Sequence, residues 1–227
     1  MSLLSLAVLA GCSTTVGGSP SAAGRGTGSS SEEPGGSGSG DSDFAPSEDN
    51  EDPAKAIDGV VVTEYDAVHA QPGHRVAYTK APPDGGRHDQ VWANCSGTVY
   101  RVAVRNEHMV HALEHGAVWL AYNPDDLAGD DVAALADRVD GVPYLMLSPY
   151  PGLDAPISLQ AWGHQLTLSD PADPRVDQFI TALRENQYTA PEPGARCDTE
   201  GTGFDVANPP PFDPTPPGPD AEPVNGP

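Results

Sequence analysis

The chain has 227 residues and carries 33 Asp and Glu against 11 Lys and Arg, a formal net charge of -22. An acidic excess of that size excludes nucleic acid as a partner, because one polyanion repels another. No stretch holds the roughly 20 consecutive apolar residues that a membrane-crossing helix needs.

The chain opens on a short apolar run that ends in Leu9-Ala10-Gly11-Cys12. This is the pattern at which bacterial signal peptides are cut and the new N-terminal cysteine is lipidated. It predicts a lipoprotein-type signal peptide over residues 1–11, with Cys12 anchoring the exported protein to the outer face of the cell membrane. The competing reading is an uncleaved apolar N-terminus. The basic residue that normally precedes such a run is missing, which places the expected start upstream of Met1. Residues 12–56 are Ser, Gly, Pro, Glu and Asp with little aliphatic content, too little to offset chain entropy, and read as a disordered acidic tether. Residues 204–227, with Pro209-Pro210-Pro211 and Pro216-Pro217, read as a disordered Pro-rich acidic tail.

Between these ends, residues 57–203 are enough for one compact domain. With Cys12 assigned to lipid, Cys95 and Cys197 remain, and in an exported chain such a pair is most simply a disulfide. A metal thiolate and two free thiols are the alternatives. Residues 59–64 and 75–79 read as strands. The break Ala81-Pro82-Pro83-Asp84-Gly85-Gly86 then presents Arg87-His88 on a loop. Residues 91–95 and 98–104 are expected as an extended pair turning at Ser96-Gly97. A helix capped by Asn106 ends at Gly116, and an apolar strand follows over 117–122. The spacing of Val132, Leu135 and Val139 predicts a helix over 130–139, and 143–147 a buried strand. Strand, helix and strand in so short a span make a βαβ unit with a parallel pair. Residues 157–168 read as a strand or hairpin around Trp162-Gly163-His164, and Asp173-Pro174 opens a helix over 175–185. The expected fold is therefore α/β: a single small domain with a mixed sheet and one disulfide.

The chemistry concentrates in the helix over 106–116. His108, His111 and His115 fall at i, i+3 and i+7 on one face, with Glu107 and Glu114 flanking them. His111 and His115, joined by His88 from the Gly-Gly loop, give a three-nitrogen metal site, and Glu107 or Glu114 supplies a fourth ligand or orients an imidazole. Nitrogen and carboxylate suit zinc, and a thioether from Met109 or Met146 would favour copper. Met109 points to another helix face, however, and Met146 lies mid-strand. His111-Ala-Leu-Glu114-His115 also matches the H-x-x-E-H arrangement of zinc peptidases, but Gly116 ends the helix where such enzymes continue it. A third reading is a structural cluster in which both glutamates accept hydrogen bonds from imidazoles. His69 and His74 read as edge residues, with His74 the better reserve ligand; His108 reads as exposed and His164 as a strand-end hydrogen bonder.

Residues 107–122, preceded by P-P-D-G-G-R-H-x-x-x-W over 82–92 and by Asn94-Cys95, resemble one family throughout. It is a family of exported or membrane-anchored proteins, common in actinobacteria, known as a domain of unknown function. The resemblance runs from about Val76 to Cys197 and includes S-P-Y-P-G-L over 148–153, A-W-G over 161–163 and P-E-P-G-A-R-C over 191–197. It implies that His88, Trp92, Cys95, Glu107, His111, Glu114, His115 and Cys197 belong to the family pattern, with Asp84 and Arg87 as departures from it, and implies no particular activity. The functional expectation is a surface lipoprotein that binds copper or zinc through its His/Glu cluster. The alternatives are an interaction module meeting a protein partner of unknown identity, with the cluster as scaffold, and a zinc-dependent hydrolase.

Overall fold

The computed structural model describes residues 41–226, so the expected signal peptide, Cys12 and most of the tether lie outside the described residues. The centre of the fold is a strand, Val118–Tyr122 (β4), whose alternation sets two different environments. Successive side chains of a strand point to opposite faces. Val118 and Leu120 accordingly enter one apolar cluster and Trp119 and Ala121 another, all fully buried.

Eight strands and three α-helices are described, preceded by two short 3-10 helices, Asp41–Phe44 and Pro53–Ala56. In chain order they are β1 (Val61–Val62), β2 (Val76–Ala77), β3 (Ser96–Val99), α1 (Asn106–Glu114), β4, α2 (Asp130–Val139), β5 (Leu145–Pro149), β6 (Ile157–Ala161), β7 (His164–Leu168), α3 (Arg175–Leu183) and β8 (Glu222–Pro223). Six strands form one sheet in the order β1-β7-β6-β4-β5-β3. β4 and β5 are parallel and joined through α2, as a βαβ unit requires, and β3 adds in parallel to the far side of β5. β6, β7 and β1 continue the other side antiparallel, so the sheet is mixed. β6 and β7 are the expected hairpin about Trp162-Gly163.

Helices cover both faces. On one, Leu135 and Val139 of α2 and Val176, Phe179 and Leu183 of α3 pack on Val118, Leu120, Leu145, Leu147 and Leu159. On the other, Met109, Val110 and Leu113 of α1 pack on Trp119 and Met146. Met109 and Met146 are therefore core residues at 0% exposure, packed in the apolar cluster on the α1 face. The Trp119 indole also satisfies its polar end by donating to Ser148 Oγ (2.9 Å). Cys95 and Cys197 form the single disulfide, closing a loop of 102 residues on the α1 face. In the chain-entropy model a loop of that length contributes on the order of 4 kcal/mol.

Several local expectations differ. Residues 91–95 form no strand, and within the expected tether Pro53–Ala56 make a short 3-10 turn whose Ala54 is buried in the core. Ser96-Gly97 is not a hairpin turn. It lies inside β3 at a register shift against β5, and Gly97 has φ 76 with Val142 N only 2.3 Å from where a Cβ would sit. Glycine is needed there because the bulge brings two backbones together. Asn106 is the first residue of α1 and not its cap; Arg105 takes the cap position without a side-chain cap bond.

Residues 204–226, which composition reads as a disordered tail, run as an extended strap over the α1 side of the domain. Phe204 is buried beside Tyr100 and His108, and Phe212 packs on Tyr150 at 4.6 Å between centroids. Pro210 O accepts from Arg105 N, Arg75 bonds Asp213, Thr215 and Pro216, and β8 pairs with β2. Proline-rich extended backbone lacks donors but presents carbonyls, and the arginines of the domain supply the missing partners. Among the described residues no helix is long and apolar enough to cross a membrane.

Candidate metal centre

α1 ends as the sequence predicts. Gly116 has φ 93, its N–H donates to Leu113 O, and Ala117 N–H donates to Ala112 O, the paired bonds of a Schellman stop. Every residue from Glu107 to Glu114 is buried, because loops over 86–95 and 192–204 lie across the helix. A polar helix face can be buried only if its polar atoms find partners. The histidines do so in one consistent manner: each imidazole gives its Nδ1–H to a backbone carbonyl of another segment or of its own loop. His111 donates to Asp89 O (2.6 Å), His115 to Arg196 O (2.8 Å), His108 to Val91 O (2.6 Å) and His88 to Gly86 O (2.8 Å).

That arrangement fixes the tautomer. A carbonyl only accepts, so the proton of each neutral ring sits on Nδ1 and Nε2 carries a lone pair. The lone pairs converge. His111 Nε2 lies 3.0 Å from His115 Nε2 and 3.7 Å from Glu114 Oε2. His88 Nε2 lies 3.0 Å from Glu114 Oε2, yet too poorly aligned for a hydrogen bond, and it has no other partner at 0% exposure. His69 completes the group: one ring nitrogen each from His69, His88 and His111 and one Glu114 oxygen all lie within 4.8 Å of one another. The His69 ring stacks on His111 at 5.1 Å and is exposed, so the group opens to solvent there.

The electrostatics point the same way. Burial pushes His111 down to about 3, with the like charges of His88 and His115 adding to the effect against the pull of the Asp89 carbonyl. Burial likewise lowers His115 and His108, against the carbonyls of Arg196 and Val91. For Glu114 burial acts upward, but the adjacent His88 and then His111 outweigh it, and its carboxyl sits below the ordinary value. At neutral pH His111 and His115 are therefore neutral, and their Nε2 lone pairs stand beside the anionic carboxylate of Glu114. Such a set is complementary to a cation. The C-terminal end of α1, which carries the negative end of its dipole, adds to that field.

Of the residues expected from sequence, His88, His111 and Glu114 are brought together, and His115 stands against His111. Glu107 is not among them. One helical turn earlier, it accepts from Val76 N (2.9 Å) and pairs with Arg105 (3.0 Å), which hold its carboxylate away from the cluster. His108 is buried against Phe204 and not exposed, and its ring faces Val91. His74 pairs with Glu222 (3.3 Å) and takes no part in the cluster, and His164 bridges Trp162 O and Asp52 as a strand-end residue. His69 is the residue that sequence reasoning undervalued. Its backbone bridges that of His88 in parallel, and no periodicity announces this contact. Trp92, half-buried, lies 5.4 Å from the His111 ring and 5.0 Å from that of His115 and forms one wall.

The two departures in the Pro-Pro turn have partners of their own. Asp84 accepts from Tyr65 and Lys80, and Arg87 donates to Pro223 O and pairs with Glu222, so the strap holds the loop that presents His88. The model of a family described as protein of unknown function (DUF3105) matches residues 69–199. That match opens on His69 and takes in the whole cluster and both cysteines of the disulfide. No curated protein and no solved structure matches the chain.

Proposed function

We propose, from the premise that the chain belongs to the DUF3105 family of proteins of unknown function, that its domain binds a transition-metal ion, copper or zinc, through imidazole nitrogens of His69, His88 and His111 and the Glu114 carboxylate. The observation that carries this reading is the convergence on Glu114 of the His88 and His111 Nε2 atoms, each ring oriented by an Nδ1–H bond to a carbonyl, with His69 completing the group. This is the outer arrangement that metal-ligating histidines use. A set of nitrogen and carboxylate ligands suits zinc and divalent copper, and the two methionines among the described residues, Met109 and Met146, pack in the apolar core. Glu114 stands among the candidate ligands beside His88, and Gly116 stops α1 directly after His115 where the helix of a zinc peptidase continues.

A scaffold role has one observation in its favour: the Nδ1 bonds tie the loops at Asp89, Val91 and Arg196 to α1. The test separates the two. The purified chain incubated with Zn2+ or Cu2+ is expected to retain at least one ion after dialysis, measured by mass spectrometry. Cu2+ is expected to quench Trp92 fluorescence in step, since the indole stands beside two of the imidazoles. No retained ion of either kind, with the fold intact, would sink the metal reading and leave the scaffold.

We also propose that a lipid on Cys12 holds this domain at the outer face of the cell membrane. The Leu-Ala-Gly-Cys sequence supports this, as does the Cys95–Cys197 disulfide, since such bonds persist in oxidising compartments outside the cytosol. A Cys12→Ala variant is expected to leave the detergent-soluble membrane fraction. Equal membrane retention of the variant and the parent chain would contradict the anchor.

A further inference from the structure

A single ion among His69, His88, His111 and Glu114 leaves one buried ligand unexplained. His115 is 3% exposed and spends its Nδ1–H on Arg196 O, and among the described residues its Nε2 has one partner at hydrogen-bond distance, the Nε2 of His111, 3.0 Å away. Two lone pairs at that distance repel unless positive charge lies between or beside them. His115 also belongs to a second group: one of its nitrogens and single oxygens of Glu114 and Glu192 lie within 4.8 Å of one another. Glu192 stands there by construction of the backbone. Its N–H donates to Glu114 O (2.9 Å) and that of Gly194 to His115 O (3.2 Å), which fastens the 192–194 loop to the last turn of α1.

Glu114 is thus common to both groups, and an ionised carboxylate has two oxygens and about four lone-pair sites with which to serve two cations. We propose that Glu114 bridges two divalent transition-metal ions, one held by His69, His88 and His111 and the other by His115 and Glu192, so that the cluster is a binuclear centre. This rests on the metal reading above and extends it. Sharing a carboxylate places such ions about 3.5–4 Å apart. The two positions differ in kind. The first is nitrogen-rich and buried except at His69. The second has two carboxylates and one imidazole, and exposed Glu192 leaves it open to water, so it is the position at which a ligand from solution would bind.

The test counts ions and asks whether they are neighbours. The full chain with its disulfide intact is saturated with Cu2+, dialysed, and examined by mass spectrometry and electron paramagnetic resonance. Two copper ions per chain with a dipole-broadened spectrum are expected for the parent chain. Glu192→Gln, a change at an exposed side chain that does not threaten the core, is expected to keep one ion and give the sharp spectrum of an isolated centre. His115→Gln should do the same. One ion per chain in the parent, with an isolated spectrum, overturns the second position and leaves the single-ion reading standing; no bound ion overturns both. Two coupled ions retained by both variants would also overturn the assignment.

Discussion

Replacing His88 and His111 together by glutamine is expected to weaken binding of Zn2+ and Cu2+ by about a thousandfold or more while the domain stays folded. The magnitude follows from what each ring supplies. Loss of a partner that merely orients a ligand costs about ten- to hundredfold in metal affinity, and here two ligands are removed at once. The fold should persist because the apolar contacts of α1 come from Met109, Val110 and Leu113, on the side of the helix turned toward Trp119 and Met146. Glutamine also keeps an amide donor near the Asp89 and Gly86 carbonyls. Competition titration against a chromophoric chelator measures the affinity, and near-ultraviolet circular dichroism, reporting on Trp119 and Trp162, monitors the fold. Unchanged affinity would remove His88 and His111 from the site.

The metal-free chain is expected to lose stability steeply as pH falls below the ordinary histidine range. His111, His115 and His108 all have folded-state values below their unfolded value of about 6.5, so the unfolded chain binds more protons throughout that window. Their contribution is whole above pH 6.5 and declines as pH drops toward the folded-state values. For His111, buried and lowered to about 3, the loss by pH 4 is on the order of 3 kcal/mol, and His115 and His108 add to it over narrower windows. Glu114, lowered by its imidazole neighbours, contributes in the same sense at more acid pH, where its carboxylate is titrated. Denaturant midpoints at pH 7.5, 6, 5 and 4 in the presence of a chelator check this. A flat profile between pH 7 and pH 5 would contradict the buried, neutral imidazoles. Bound metal should raise the midpoint at neutral pH and make the acid loss steeper, because protons and metal compete for the same lone pairs.

Much of the frame was legible in the chain because it is written locally. The period of Val132, Leu135 and Val139, the alternation in β4 and the Gly116 stop each depend on residues a few positions apart. The disulfide followed from counting. What escaped was non-local or compositional. His69 becomes a cluster member only through a backbone bridge to His88, nineteen positions later, and Glu192 only through its bond to the end of α1. Glu107 lies four residues before His111, at helical spacing that suggests a shared site, but Arg105 and the Val76 N–H compete for its carboxylate. The strap was hidden by its own prolines and acids. Its signal was Phe204 and Phe212, large aromatic side chains with no reason to stand alone in a solvated tail.

The imidazoles of His88, His108, His111 and His115 all lean through Nδ1 on main-chain oxygen, at Gly86, Val91, Asp89 and Arg196. Main-chain oxygen is present whatever amino acid occupies a position. Substitutions at Asp89, Val91 or Arg196 that preserve the local path of the chain therefore leave the aim of the rings unchanged. The apparatus that points the ligands is in this sense invisible to a sequence and tolerant of its drift, and only the rings and the shared carboxylate are bound to particular letters.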